Sequence, residues 1–155
     1  MRRKGFTLVE LMMVIVVLGI LSGIAVMKYI DLRNAALAAQ MAQELRAIQI
    51  GAFNYYADKE VWPPDAGVGA VPPGLGPLLP GQLAGSFDRG DYQFDFENFG
   101  DDPDNTSPTM IVGVNITTND PRLFAKFVHY LGTQSPFFVA GSTMTYLIAG
   151  PGGGF

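Results

Sequence analysis

The feature that most constrains the fold of this chain is a long run of apolar residues near the N-terminus. No Asp, Glu, Lys or Arg occurs between residues 11 and 27. As an α-helix, residues 6–27 would extend about 33 Å, close to the ~30 Å hydrocarbon core of a bilayer. The run follows a cluster of three cations, Arg2, Arg3 and Lys4. It therefore predicts a single membrane-spanning helix whose N-terminus stays in the cytoplasm.

Two residues at the beginning of this run are not explained by a generic membrane anchor. Gly5 separates the cations from the apolar residues, and Glu10 places a carboxylate, which is costly in lipid, directly before the uncharged residues 11–27. A cleaved secretory signal would account for the basic start. However, Ala25 is the only alanine before position 30, so no A-x-A cleavage site is present.

The sequence K-G-F-T-L-V-E-L at residues 4–11 resembles the class III leader of type IV prepilins and of the pseudopilins of type II secretion. The resemblance implies a leader of residues 1–5, removed by a prepilin peptidase that cuts between Gly5 and Phe6. It also implies N-methylation of Phe6 and a role for Glu10 in subunit assembly.

Elementary electrostatics agrees with the implied role of Glu10. Cleavage would give Phe6 a positive α-amino group, and Glu10 of a neighbouring subunit would be a suitable counter-charge. Either charge alone is strongly penalised in an apolar environment, whereas the pair is attractive. Such a pair would fix the axial register of subunits in a filament. The alternative is that Glu10 lies near the lipid headgroups and has no role in assembly.

A second apolar pattern follows the first. Apolar side chains recur at steps of 4, 3, 4 and 3 residues, at Met41, Leu45, Ile48, Ala52 and Tyr55. This spacing is one stripe of an amphipathic helix, and residues 28–58 contain no proline. We therefore predict one continuous helix over residues 6–58, ~80 Å long, with 6–27 in the membrane or filament and 28–58 packed on a globular domain.

The remaining residues, 59–155, predict a small globular domain. Residues 60–90 hold 6 prolines and 7 glycines, a density that predicts a loop without regular elements. Four large apolar side chains are expected to anchor this loop to the domain: Trp62, Leu75, Leu78 and Leu79.

Strand patterns follow the loop. Tyr92, Phe94 and Phe96 alternate with polar residues, which predicts a half-buried strand. Further strands are predicted over residues 109–115 and 143–149, with residues 139–141 in a turn before the last strand. Asp120 and Pro121 can begin a short helix that ends at Gly132. The fold class is therefore α+β, with a long N-terminal helix packed on a small antiparallel sheet, a type IV pilin-like architecture.

One loop carries a dense group of oxygen ligands, Asp101, Asp102, Asp104 and Asn105. Side chains of this kind bind Ca²⁺, although the spacing is not that of an EF-hand. We interpret the group as a solvated acidic turn, with calcium binding as the alternative. No other cofactor is indicated.

Candidate catalytic residues are few. His129 is the only histidine, and no serine or cysteine context accompanies it. Four carboxylates near the first strand are interpreted as solvent-facing: Asp88, Asp91, Asp95 and Glu97. The sequence therefore predicts no enzyme.

The resemblance implies a structural subunit of a type II secretion pseudopilus or of a type IV pilus-like filament. The absence of cysteine favours the pseudopilin, and a pilin for adhesion, motility or DNA uptake is the second hypothesis. A monomeric membrane-anchored binding domain or enzyme is the third. The implied location is the inner membrane in a single pass, with the globular domain in the periplasm or outside the cell, and then a filament.

The expected partners follow from the same resemblance. They are copies of the chain, other pilin-like subunits, a prepilin peptidase, an inner-membrane assembly platform and the lipid bilayer. After residue 27, 7 Lys and Arg residues stand against 13 Asp and Glu residues. No nucleic acid is expected as a partner, because an acidic domain repels the phosphate backbone.

Overall fold

The structure, a computed structural model, describes residues 5–100, 111–132 and 136–150. These residues form a long helix, a loop with two short 3₁₀ helices, a four-stranded antiparallel sheet and a second helix. The elements are α1 (Leu8–Lys59), the 3₁₀ helices Gly76–Leu78 and Gly81–Ala84, β1 (Gln93–Asn98), β2 (Val112–Thr117), α2 (Pro121–Leu131), β3 (Phe137–Ala140) and β4 (Thr143–Ala149). The α+β architecture with a long N-terminal helix is confirmed.

Helix α1 is one uninterrupted element of 52 residues, about 78 Å long. It ends at Glu60, which adopts the left-handed conformation (φ 60°) and donates its backbone N–H to the Tyr56 carbonyl oxygen at 2.8 Å. Prolines begin at Pro63 and prevent the helix from continuing. The predicted continuous helix is therefore confirmed.

The second half of α1 supplies one side of the hydrophobic core. Met41, Leu45, Ile48 and Ala52 are fully buried. Gly51 lies on the same face, and a Cβ there would come within 2.8 Å of the Leu79 side chain. The single glycine of this half therefore permits close packing of the loop on the helix.

The sheet supplies the other side of the core. Its strand order is β1-β2-β4-β3, and every neighbouring pair is antiparallel. Phe94 of β1 lies opposite Ile116 of β2, which lies opposite Met144 of β4, and all three are fully buried. The inner face of the sheet thus packs against the apolar stripe of α1.

Two strand predictions need correction. The second strand runs to Thr117 rather than to residue 115, because Ile116 completes the inner-face row between β1 and β4. Residues 109–110, where it was expected to begin, lie outside the described residues. The predicted turn at 139–141 is in part the edge strand β3, which pairs with β4 from Phe137 to Ala140. The other predicted strands are confirmed.

The loop between α1 and β1 departs from the prediction of no regular element, since it contains the two 3₁₀ helices. Trp62, Leu75 and Leu79 are buried as expected. Leu78 is 40% exposed, because the first 3₁₀ turn directs Leu75 and Leu79 inward and leaves Leu78 outside. Leu83 and Phe87 are additional buried anchors.

A partly buried ion pair connects this loop to α1. The Arg89 guanidinium lies 3.1 Å from Glu44 Oε1, with side-chain exposures of 15% and 12%. The Tyr92 hydroxyl donates to Glu44 Oε2 at 2.8 Å. Burial, and then the hydrogen bond and charge of Glu44, raise the pKa of Tyr92 well above its usual range. The loop, the start of the sheet and α1 are therefore joined by one charge-assisted network.

Helix α2 begins and ends as predicted. The Asp120 carboxylate accepts from the backbone N–H groups of Arg122 (2.8 Å) and Leu123 (3.3 Å), and the helix ends at Gly132. The same carboxylate accepts from the Asn34 side-chain amide at 3.0 Å, which ties α2 to α1. These backbone bonds lower the pKa of Asp120.

Candidate assembly site at the start of helix α1

The first turn of α1 is built around Thr7 and Glu10. The Thr7 side chain accepts from the Glu10 backbone N–H at 3.3 Å, and Glu10 Oε2 accepts from the Thr7 backbone N–H at 2.8 Å. Glu10 Oε2 also accepts from the Thr7 hydroxyl at 2.9 Å. This reciprocal arrangement is a capping box, and it satisfies donors that a helix N-terminus otherwise leaves free.

The capping box fixes the direction of the Glu10 carboxylate. Both Thr7 donors bind the same oxygen, Oε2. Within the described part of the chain, Oε1 makes no hydrogen bond. The carboxylate is therefore positioned beside the helix start with one oxygen available to a further cation. The Thr-x-x-Glu spacing that produces this geometry is a recognised helix-start signal, and it was open to sequence reasoning.

Gly5 and Phe6 lie immediately before the helix. Both are exposed, and neither belongs to a regular element. The Phe6 side chain is 79% exposed. The peptide bond between them is therefore free of helical hydrogen bonds and open to solvent.

The first half of α1 carries an extended uncovered apolar surface. Every residue from 5 to 29 is exposed. By length and composition the helix is apolar enough to cross a membrane. An apolar surface of this size on a protein requires a cover, which is either lipid or other protein.

Loss of the capping box is expected to loosen this first turn. Thr7→Val has nearly the same shape but removes the hydroxyl acceptor of the Glu10 amide, so exchange of that amide should accelerate about fivefold. Thr7→Ser keeps the hydroxyl and should exchange like the wild type. The comparison is made by amide hydrogen exchange of the full chain in detergent micelles. Equal rates in Thr7→Val and the wild type would contradict the role of the hydroxyl.

The other predicted site residues do not join this site. The calcium candidates Asp101, Asp102, Asp104 and Asn105 lie outside the described residues. Across the ranges that the structure describes, no group of three or more His, Cys, Asp and Glu side chains is placed to hold a metal. His129 lies exposed on α2.

The carboxylates near β1 divide into two pairs. Asp88 and Asp91 are exposed, as expected, and Asp91 forms a bidentate ion pair with Arg33 at 2.7 and 2.8 Å. Asp95 and Glu97 are half-buried, which corrects the prediction that they face solvent.

Asp65 of the preceding loop lies against this half-buried pair. Burial, followed by the charge of Asp95 and contacts with Asp65, raises the pKa of Glu97 to about 7. Burial, followed by the charge of Asp65, raises the pKa of Asp95. Sequence reasoning missed this group because Asp65 is distant along the chain and no local pattern marks it.

Comparison with known proteins adds to this geometry. Residues 1–26 match the family model described as the prokaryotic N-terminal methylation motif. The chain is 45% identical over 75 residues to the fimbrial protein EcpC of Eikenella corrodens, which covers 44% of this chain and 47% of that protein.

Two further relatives cover similar shares. Identity is 47% over 49 residues to the type IV narrow pilus major component PilA5 of Thermus thermophilus, covering 32% of this chain and 42% of that protein. Identity is 35% over 63 residues to the type IV major pilin protein PilE of Neisseria gonorrhoeae, covering 41% of this chain and 38% of that protein. The chain thus spans less than half the length of these relatives. No solved structure gives a significant match.

Proposed function

We propose that this chain is a type IV pilin-like protein and that it serves as a structural subunit of a type IV pilus-like filament. The observation that carries the proposal is the uncovered apolar half of α1, which begins with the positioned carboxylate of Glu10 and continues without a break into the core helix of the globular domain. Such a helix can be anchored in lipid before assembly and covered by neighbouring subunits afterwards.

The proposed path begins with cleavage. A prepilin peptidase removes the leader, residues 1–5, and Phe6 becomes an N-methylated amino terminus. The exposed, non-helical Gly5–Phe6 bond supports this step, because a peptidase requires an extended and accessible substrate. The subunit then stays in the inner membrane through residues 6–27, with residues 28–58 and the globular domain, 59–155, on the outer side.

Docking follows through Glu10. In the free subunit, Thr7 donates two hydrogen bonds to Glu10 Oε2, and Oε1 is left for the ammonium group of a neighbour's Phe6. Pairing these charges offsets part of the cost of burying them, whereas either charge left alone in the apolar filament core would be strongly destabilising. The partners of this proposal are copies of the chain, other pilin-like subunits, the peptidase and an inner-membrane assembly platform. The role requires no catalytic residue and no cofactor.

A pilus is the first candidate for the kind of filament, because the relatives described above carry the names of fimbrial and pilus proteins. A type II secretion pseudopilus is the second, favoured by the absence of cysteine from the chain. Electron microscopy of sheared cell-surface material with an antibody against the globular domain tests the proposal. Labelled surface filaments are expected. Loss of protein export without loss of surface filaments in a deletion strain would favour the pseudopilus, and an unaltered strain would contradict both.

A further inference from the structure

Helix α2 is fastened to α1 close to the point where the apolar run ends. Asp120, which caps α2, accepts from the Asn34 side-chain amide at 3.0 Å, and the Lys126 ammonium group lies 3.5 Å from Asp31 Oδ1. Residues 6–27 end four residues before Asp31, which is about 6 Å along the helix. The headgroup layer on each side of a bilayer is about 5–8 Å thick. Lys126 therefore reaches the level of the lipid headgroups when residues 6–27 cross the hydrocarbon core.

One face of α2 carries cationic and aromatic side chains. Its members recur at steps of four, three and one residues, which places them on one side of the helix: Arg122, Lys126, His129 and Tyr130. These four residues form the basic face of α2, and all of them are exposed or partly exposed. The start of α2 binds Asn34, whereas Lys126 on this face reaches Asp31, about one turn closer to the membrane. The basic face is therefore turned toward the membrane.

The level of residues 28–34 has an excess of cations. The cations at this level are Lys28, Arg33, Arg122 and Lys126, and the carboxylates are Asp31, Asp91 and Asp120. Within the described ranges, neither Lys28 nor Arg122 forms an ion pair. Residues 28–155 as a whole contain 7 Lys and Arg residues against 13 Asp and Glu residues. The level nearest the membrane is thus slightly cationic on a domain that is acidic overall.

Two tyrosines accompany these cations. Tyr29 follows the apolar run on α1 and is 68% exposed, and Tyr130 on α2 is 54% exposed. Tyrosine is enriched where a membrane meets water, because its ring is apolar and its hydroxyl stays hydrated. Lysine in such a layer extends its ammonium group toward the lipid headgroups. The side chains at this level are therefore of the kinds that a headgroup layer accommodates.

We propose that the basic face of α2 binds the phosphate groups of anionic lipids in the membrane that holds α1, as a second membrane contact of the unassembled subunit. This inference rests on the proposed membrane anchoring of residues 6–27. Arg122 offers a planar fork of N–H donors that fits phosphate oxygens, and Lys126 offers a point charge. Two contacts, one along α1 and one beside it, would hold the globular domain in a single orientation above the membrane.

The test is a depth measurement on the full chain in lipid vesicles. Because the chain has no cysteine, a fluorescent label can be attached to a single introduced cysteine, His129→Cys on the basic face of α2. A control label at Asp58→Cys lies about 45 Å from Lys28 along α1. The vesicles consist of phosphatidylcholine alone or of an equal mixture with phosphatidylglycerol. Both kinds contain a lipid whose headgroup carries a nitroxide, which quenches labels at the membrane surface.

Strong quenching of the label at position 129 is expected in the mixed vesicles, with weak quenching in phosphatidylcholine alone. The label at position 58 should stay unquenched in both. Replacing Arg122 and Lys126 together by glutamine should remove most of the quenching, because each cation near an anionic surface favours the contact about fivefold. Arg46→Gln, a change at an exposed cation about 27 Å from Lys28 along α1, should leave the quenching unaltered.

A further variant keeps the test decisive if the double glutamine variant does not fold, which circular dichroism would reveal. Asp31→Asn removes the carboxylate that pairs with Lys126 at the protein surface. The freed ammonium group should strengthen the lipid contact, so quenching at position 129 should persist to a higher salt concentration than in the parent protein. Quenching with an unaltered or greater sensitivity to salt would contradict the proposal.

Flotation of the vesicles separates this inference from the anchoring on which it rests. Protein that does not float with the vesicles contradicts the anchoring of α1 and the lipid contact together. Protein that floats but is quenched equally in both kinds of vesicle, or is not quenched at position 129, refutes lipid binding by α2 and leaves α1 as the anchor. Shielding of the label that depends on the protein-to-lipid ratio and not on lipid charge would identify a second copy as the occupant and overturn the proposal.

Discussion

Replacing Glu10 by alanine is expected to leave the protein in the membrane and to abolish its assembly into filaments. The apolar run becomes longer, so membrane insertion is not weakened. In a filament, however, every Phe6 ammonium group would lose its counter-charge, and an uncompensated charge in an apolar core is strongly destabilising. Filament yield should fall on the order of 100-fold or more. The measurement compares the protein in sheared filaments with the protein in membranes by immunoblotting.

Two further variants separate charge from shape at this position. Glu10→Gln keeps the size of the side chain and its acceptor for Thr7 but removes the charge, and it should assemble as poorly as Glu10→Ala. Glu60→Gln changes an exposed carboxylate at the far end of α1 and should assemble normally. Normal filament yield from Glu10→Ala would show that Glu10 has no role in assembly.

The second large effect is expected at Glu44. Glu44→Ala removes the partner of Arg89 and the acceptor of the Tyr92 hydroxyl. A guanidinium that is only 15% exposed is then left without its counter-charge. The cost should be about 3 kcal/mol of unfolding free energy, or a fall in Tm of roughly 6–12 °C. Thermal unfolding of the full chain in detergent, followed by circular dichroism, measures it.

Two control variants identify the source of the lost stability in Glu44→Ala. Asp58→Ala breaks an ion pair with Lys59 whose side chains are 71% and 58% exposed, and it should change Tm by less than about 2 °C. The double variant Glu44→Ala with Arg89→Ala should lose much less stability than the sum of the single changes, because no charge is left unpaired. Additive losses would show that the pair is not coupled.

The long helix and the core could be predicted because each rests on a local period. The 4-3-4-3 spacing of Met41 and its successors fixed the buried face of α1, and alternation at Phe94 and Phe96 fixed that of β1. Both patterns operate over a few residues, and the structure places the two faces against each other.

The features that sequence analysis missed depend on contacts between distant parts of the chain. Strand β3 has four residues, and its Phe138 and Val139 are both exposed, so it shows no alternation. This segment is a strand because its backbone pairs with β4, and no local sequence pattern indicates that pairing. The raised pKa values of Asp95 and Glu97 likewise depend on burial in the folded chain and, to a smaller extent, on Asp65 of the preceding loop.

The most direct test of the central claim is the intact mass and N-terminal sequence of the chain recovered from sheared cell-surface filaments. The proposal predicts a chain that begins at N-methylated Phe6 and that is absent from the filaments when the prepilin peptidase is deleted. The contradicting result is a chain that keeps Met1 and remains in the membrane fraction whether or not the peptidase is present.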